Sequence, residues 1–260
     1  MNWIEEYQFD DNQCRAWKGG GKTVWIRRTE DEWLVASKDT LKKQPGISCS
    51  ENAKVPSDLE WKRVISSKLN SLKVRPATPD LPLALKPVEV MSILPGEQCH
   101  FYIKVPLWLQ FIIFERKKEE LLFEVPMTAL SRTWFGDSSS GFISYSLCTK
   151  LLKEAGKNGY ESLSIFCPFY IYNNHKIKLD LIKFCIHGEN LSIFEDTGRL
   201  VSNTVVVFFR GDEQEDRISI SETPPEQFQG ATRVAQPRKP LNRSILRKSF
   251  RVIKQFTSIG

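Results

Sequence analysis

The sequence predicts an all-β protein, antiparallel in its sheets, built as two β-sandwich units of immunoglobulin-like kind and followed by a C-terminal amphipathic helix. Three observations predict it. Short apolar or alternating runs recur between turn signals from Cys14 to Arg210. Prolines at 76, 79, 82 and 87 exclude a helix from that stretch and suit edge strands or connections. After Pro240 the apolar period changes from two to 3.6 residues.

The elements follow in order. Residues 1–40 read as an N-terminal β-meander: Cys14 to Lys18, a Gly-Gly-Gly turn, Thr23 to Arg28 with Val24 and Ile26 alternating, a turn at 29–31, then Trp33 to Ala36. Residues 39–58 are polar, carry Pro45, Gly46 and Pro56, and read as a connection. Trp61, Val64, Ile65, Leu69 and Leu72 recur at near-helical spacing, yet the same stretch also reads as two short strands. Residues 60–150 form the first sandwich-like unit. Its strand signals are Val88 to Leu94, Cys99 to Val105, Leu107 to Phe114 and Leu121 to Val125, with Pro95-Gly96 and the charged run Arg116 to Glu120 as turns.

Residues 151–221 form the second unit. Ser162 to Tyr172, Ile177 to His187, Leu191 to Glu195 and Thr204 to Arg210 are its strands, and Asn173-Asn174 and Gly188-Glu189-Asn190 are its turns. Residues 222–240 are rich in Pro, Gln and Glu and read as a linker. Over 241–258 the apolar residues Leu241, Ile245, Leu246, Phe250, Val252, Ile253 and Phe256 fill one arc of a helix, and Arg243, Arg247, Arg251 and Lys254 gather opposite. Such a helix either docks on the β-body with a solvated cationic face, lies at an anionic membrane surface, or meets an acidic partner.

The segment Leu130 to Tyr145 carries the densest signal. Two bulky aromatics, Trp134 and Phe135, run into Gly136, whose backbone freedom lets the chain reverse, and Asp137 closes a turn ahead of Ser138, Ser139 and Ser140. Trp134 and Phe135 are either core anchors of this corner or exposed aromatics of a contact patch. The TWFGD motif, with Pro126, Leu130 and Ser131 before it, resembles the signature of domain of unknown function 432, an uncharacterised, largely archaeal prokaryotic family. The runs Trp33 to Lys38, Pro76 to Pro82, Leu94 to Leu107 and Cys167 to Asn174 fall in similar order, so the resemblance covers most of residues 1–250. It implies a mostly β protein and brings no catalytic residues with it.

Charge is uneven. The chain carries +6 in all, but eight basic residues and no acidic one lie from Gln227 onward, so the body before them is slightly acidic. The longest apolar run, Val105 to Phe114, is too short for a spanning helix, and the first residues lack a basic region leading into an apolar one, so a cytoplasmic protein is expected. Six cysteines without CxxC spacing read as buried free thiols. Cys185 and His187 would share a strand face, but His100 and His175 are far off in sequence, so neither a metal site nor another cofactor is expected.

Catalytic signatures are absent. Gly19 to Thr23 (GGGKT) lacks the earlier glycine and the following helix of a phosphate loop and reads as a hairpin turn. Asp137 with the three serines has no histidine nearby in sequence to complete a nucleophilic site. The reading is therefore a binding or interaction protein that contacts a protein or anionic partner through Trp134, Phe135, Asp137, Arg243, Arg247 and Arg251. The alternatives are a hydrolase or metal-dependent enzyme whose site the sequence hides, and peripheral membrane or anionic-partner binding through the basic helix. Nucleic acid is disfavoured, because no aromatics interleave with the tail's cations as a stacking platform needs.

Overall fold

The computed structural model describes residues 3–66, 69–116, 118–156, 163–211, 216–239 and 245–247. In chain order the strands are β1 (Glu6–Gln8), β2 (Cys14–Arg28), β3 (Glu32–Glu51), β4 (Lys62–Ile65), β5 (Ser71–Ala77), β6 (Leu83–Pro87) and β7 (Met91–Ile93). Next come β8 (Gln98–Pro106), β9 (Trp108–Glu115), β10 (Lys118–Pro126), β11 (Ser131–Phe135), β12 (Phe142–Thr149), β13 (Ser164–Asn173) and β14 (Leu179–Leu181). The last are β15 (Phe184–Ile186), β16 (Ile193–Asp196), β17 (Arg199–Ser202), β18 (Val205–Phe209), β19 (Asp216–Ile220), β20 (Thr232–Ala235) and β21 (Ile245–Arg247). The fold is all-β, as the turn-bounded runs predict.

The largest sheet is organised by β13. Its alternate residues Ile165, Cys167, Phe169 and Ile171 are buried against Phe101, Ile103 and Val105 of β8 and Val205, Val207 and Phe209 of β18, all within one continuous core. Each such side chain contributes about 1.5–3 kcal/mol by leaving water. β8 pairs antiparallel with β13 from Ser164↔Pro106 to Tyr172↔Gln98. On the other edge β17 meets β13 at Phe166↔Val201, and β18 takes over from Phe169↔Val205 to Asn173↔Phe209, both parallel. A parallel return needs a long excursion, and here it holds β14, β15 and β16.

The edge of β13 is thus shared between two strands, and the sheet divides there. One branch continues through β16 to β20, the other through β19 to β21. Asn203, 2% exposed, sits at the division. Its Oδ1 accepts the Ser192 N–H at 3.2 Å, and its Nδ2 donates to the Ser221 carbonyl at 2.7 Å. One side chain ties both branches.

Around this sheet stand three others and a small ladder. β1-β5-β9-β10 and β2-β3-β4 are antiparallel, whereas β11-β12-β6-β15 contains a parallel β12–β6 pairing. β7 and β14 pair alone. Trp17 joins two of these sheets, with its ring 5.3 Å from Tyr7 and 5.1 Å from Phe111.

Several sequence expectations are corrected. The glycines at 19–21 do not turn the chain: β2 runs straight through them, paired with a β3 that reaches Glu51, and the register slips between Gly19 and Lys22. Gly20 has φ +59°, and a Cβ there would fall 2.3 Å from the Met127 carbonyl oxygen. The run is a bulge over which the Met127 corner passes in backbone contact. The C-terminal helix over 241–258 is not supported either. Its only described residues, Ile245–Arg247, pair antiparallel with Asp216–Ile218 as an edge strand, because β19 offers an open backbone edge there; the remainder lies outside the described residues. The thiols are free, but only Cys14, Cys167 and Cys185 are buried; Cys49 and Cys99 are partly buried and Cys148 is exposed. Burial pushes Cys99 and Cys167 up to about 11 and about 12. No helix among the described residues is long and apolar enough to cross a membrane.

Two predictions follow from these packing facts. Gly20→Ala should cost about 2–4 kcal/mol in urea unfolding, since strain and a backbone clash combine there. Gly96→Ala, at φ +77° with nothing near its Cβ, should cost only about 1 kcal/mol. Asn203→Ala should cost about 2–4 kcal/mol by leaving the Ser192 N–H and the Ser221 carbonyl without their partner. Hydrogen exchange should then speed up in β16 and β19 together, and an effect confined to one branch would refute the shared joint.

Candidate functional site

The TWFGD segment forms the β11–β12 hairpin, and strand alternation divides its aromatics. Trp134 pairs in register with Ile143, and Phe135 with Phe142. Phe135 is 2% exposed in a small cluster with Ala84, Cys185 and Phe142. Trp134 and Ile143 point the other way, 47% and 52% exposed. Phe135 is thus a buried anchor of the corner, whereas Trp134 is half-exposed.

The loop is closed by the Asp137 main-chain carbonyl. It accepts the Gly141 N–H at 2.8 Å and the Trp134 indole N–H at 3.0 Å. Gly136 reverses the chain at φ +103°. A Cβ on Gly141 would fall 2.3 Å from Trp134 Nε1, so the indole lies directly against that glycine. Trp134 is thereby held in one orientation while its ring stays accessible, and β11 is the edge strand of its sheet among the described strands.

Behind the hairpin lies a polar turn. The Phe142 ring is 5.6 Å from His187, which follows β15 and opens the Gly188–Asn190 turn. His187 Nδ1 stands 3.2 Å from Glu189 Oε1, and the side chains are only 12% and 5% exposed. Residues 236–239 strap this turn down. The Lys239 N–H donates to the Glu189 carbonyl at 3.0 Å, and Asn190 Nδ2 donates to the Lys239 carbonyl at 3.2 Å. Next to it, Arg238 donates to the Thr78 carbonyl and pairs with Glu124 at 2.9 Å.

Burial pushes the Glu189 carboxyl up, but the hydrogen bond and charge of His187, its own backbone N–H and the Lys239 ammonium outweigh it. The group ends below the ordinary carboxylate range and stays ionised. Glu189 Oε2 and Asn190 Oδ1 are buried with no hydrogen-bond partner among the described residues. Asn190 and His187 help to line a cavity of about 20 Å³ whose other walls include Ile186, Leu191, Val205, Val207 and Ile218; Glu189 does not line it. Among the described residues no three or more His, Cys, Asp or Glu side chains are grouped to hold a metal ion.

The remaining expected residues are dispersed. Arg247 lies in β21 opposite Asp216; Arg243 and Arg251 lie outside the described residues. His100 stacks on Tyr170 at 4.2 Å and is held below its ordinary value by burial, whereas His175 packs near Phe209. The outer face of the central sheet also carries Tyr172 stacked on Phe208 at 5.0 Å, with Arg217 over the other side of that ring. These rings use their faces on one another, so the row is a cross-strand ladder. Glu189, Asn190 and Lys239 escaped the sequence reading: Gly-Glu-Asn is an ordinary turn in sequence, and Lys239 arrives from a segment that reads as linker.

Residues 3–254 match the model of a family described as a protein of unknown function, DUF432. No curated protein and no solved structure matches the chain.

The close seat of the indole gives a test of the hairpin. Gly141→Ala should cost about 2 kcal/mol or more, whereas Ser139→Ala should stay within about 0.5 kcal/mol. In a Trp134→Ser background the Gly141→Ala cost should fall but not vanish, because the Asp137 carbonyl still lies 2.6 Å from the new Cβ. Additive costs in that double-mutant cycle would show that the indole does not rest on Gly141.

Proposed function

The chain belongs to the DUF432 family, and since that membership assigns no activity, we propose from the geometry that it is a binding protein whose contact element is the β11–β12 hairpin. The observation that carries this reading is Trp134: half-exposed on the edge strand β11, locked by its indole hydrogen bond, and flanked by exposed Ile143 of β12. A large ring fixed before contact loses little entropy on binding, which is why such residues dominate interface energetics. An open strand edge beside it suits a protein partner that adds an extended strand to β11 and sets an apolar side chain against Trp134. The same reading treats residues 60–150 and 151–221 as sandwich-like halves joined by the β8–β13 ladder.

One observation favours a second reading. The buried His187–Glu189 pair has the composition of an acid–base dyad, with the carboxylate orienting the imidazole. In that reading the protein is a hydrolase, and His187→Asn removes turnover while leaving hairpin contacts intact.

The binding reading is tested with a photo-crosslinking residue at exposed Arg132 in the full chain expressed in cells. The expected result is one discrete adduct that disappears when Ile143→Asp is added, with a thermal midpoint unchanged by that substitution within about 2 °C, as for other surface changes. An adduct pattern indifferent to Ile143→Asp would overturn the proposal.

A further inference from the structure

A bare sheet edge invites pairing with another chain and is usually blunted by a bulge or by charge. β10 carries a bulge between Leu121 and Phe123 and opens with Lys118, Glu119 and Glu120; β20 meets β16 across a register shift; β4 opens with Lys62 and Arg63. β11 has neither proline nor bulge, and its register with β12 is unbroken from Ser131↔Ser146 to Phe135↔Phe142. Its one charge is Arg132, exposed beside the Tyr145 hydroxyl. The neighbouring strands fix where its backbone groups point. The Tyr145 N–H donates to the Pro82 carbonyl at 2.8 Å, on the β6 side. Arg132, opposite Tyr145, therefore belongs to a pair without main-chain bonds to β12, and such pairs alternate along an antiparallel ladder. The N–H and C=O of Arg132 and of Trp134 thus point out over the open edge, whereas those of Thr133 point into the sheet.

We infer that β11 pairs antiparallel with β11 of a second copy of this chain, about a two-fold axis at Thr133. The inference rests on the reading of β11 as the contact edge and names its partner. In that register Arg132 of each copy and Trp134 of the other exchange both main-chain bonds, and Thr133 faces its own counterpart without one. Opposed residues share a face of the sheet, so Arg132 of each copy comes beside the half-exposed Trp134 of the other, its apolar stem along the indole and its guanidinium at the ring. The strand is thus self-complementary in charge as well as in backbone. The adjacent registers are not: centring on Arg132 sets two guanidinium groups opposite each other, and centring on Trp134 leaves Arg132 facing Gly136, where the chain has already reversed at φ +103°. A strand this short buries little area, so the dimer is weak and depends on concentration.

Sedimentation of the full chain over a concentration series should show a monomer–dimer equilibrium. Arg132→Glu, which sets a carboxylate against the ring, should weaken association about tenfold or more without moving the thermal midpoint of the monomer, and Arg132→Lys should weaken it less. Cysteines report the register. In a Cys148→Ser background, which removes the exposed thiol, Thr133→Cys should give a disulfide-linked dimer under mild oxidation. Opposed residues without main-chain bonds stand about 4.5 Å apart at Cα, within disulfide reach. Ser131→Cys should give none, because its counterpart lies beyond the axis. A chain that is monomeric at every concentration, a dimer indifferent to Arg132→Glu, or linkage through Ser131→Cys in place of Thr133→Cys would overturn the inference. If Thr133→Cys does not fold, the Arg132→Glu comparison decides. The two readings fail separately: a monomer that still gives one discrete adduct with a different protein from position 132 keeps the hairpin as the contact element and removes only the self-pairing.

Discussion

The arrangement of the molecule depends on how two strands share one edge of β13. A strand edge has a fixed row of donors and acceptors, and β17 and β18 divide that row at Asn203 and Thr204. Where the backbone leaves the ladder, its polar groups must find other partners inside the core. Asn203 supplies them in both directions, and the hydroxyl of Ser221 accepts the Thr204 N–H at 3.0 Å. The turn after β15 lies next to these strands: His187, Asn190 and Leu191 share a cavity wall with Val205, Val207 and Ile218, and Leu191 and Ile193 continue directly from the turn into the core.

The segment 236–239 that follows β20 belongs to the same architecture. β20 ends one branch of the central sheet and β21 ends the other. In residues 236–239, Arg238 reaches Glu124, which also accepts the Gln110 amide, which in turn accepts from Arg75 at 3.0 Å. These groups are partly shielded, so the row resists screening better than a lone surface pair, though each link remains modest. Its main effect is positional: it delivers Lys239 to Glu189.

What the sequence made legible follows from the range of each signal. Strand alternation is local, so the β-class and the inward Leu179 and Leu181 of β14 could be read directly. The TWFGD corner was legible for the same reason, since its turn is closed within residues 134–141. The glycine run misled because a bulge and a hairpin turn ask for the same residue; what distinguishes them is Met127, about a hundred positions away. The apolar arc after Pro240 misled because Ile, Val and Phe suit strands as well as helix faces, and only the free edge of β19 decides for Ile245–Arg247. Asn203 and Glu189 had no local mark at all. A buried polar residue is identified by its partners, and Ser221, His187 and Lys239 become partners only in the fold.

The two faces of the hairpin separate a buried, anchoring side from an exposed one. Phe135 and Phe142 face inward to Cys185 and His187, and Lys183 lies over Phe135 at 5.5 Å; this side holds the hairpin to β15 and its turn. Trp134 and Ile143 face outward and contribute no such anchoring. Because successive strand residues alternate sides, a displacement of Trp134 along β11 would also drag Phe135 against the Cys185–His187 side. The core contact thus limits how far the outward ring can move. A surface aromatic held in this way keeps its orientation without a partner, which is the property that a recognition element requires and that a merely exposed tryptophan lacks.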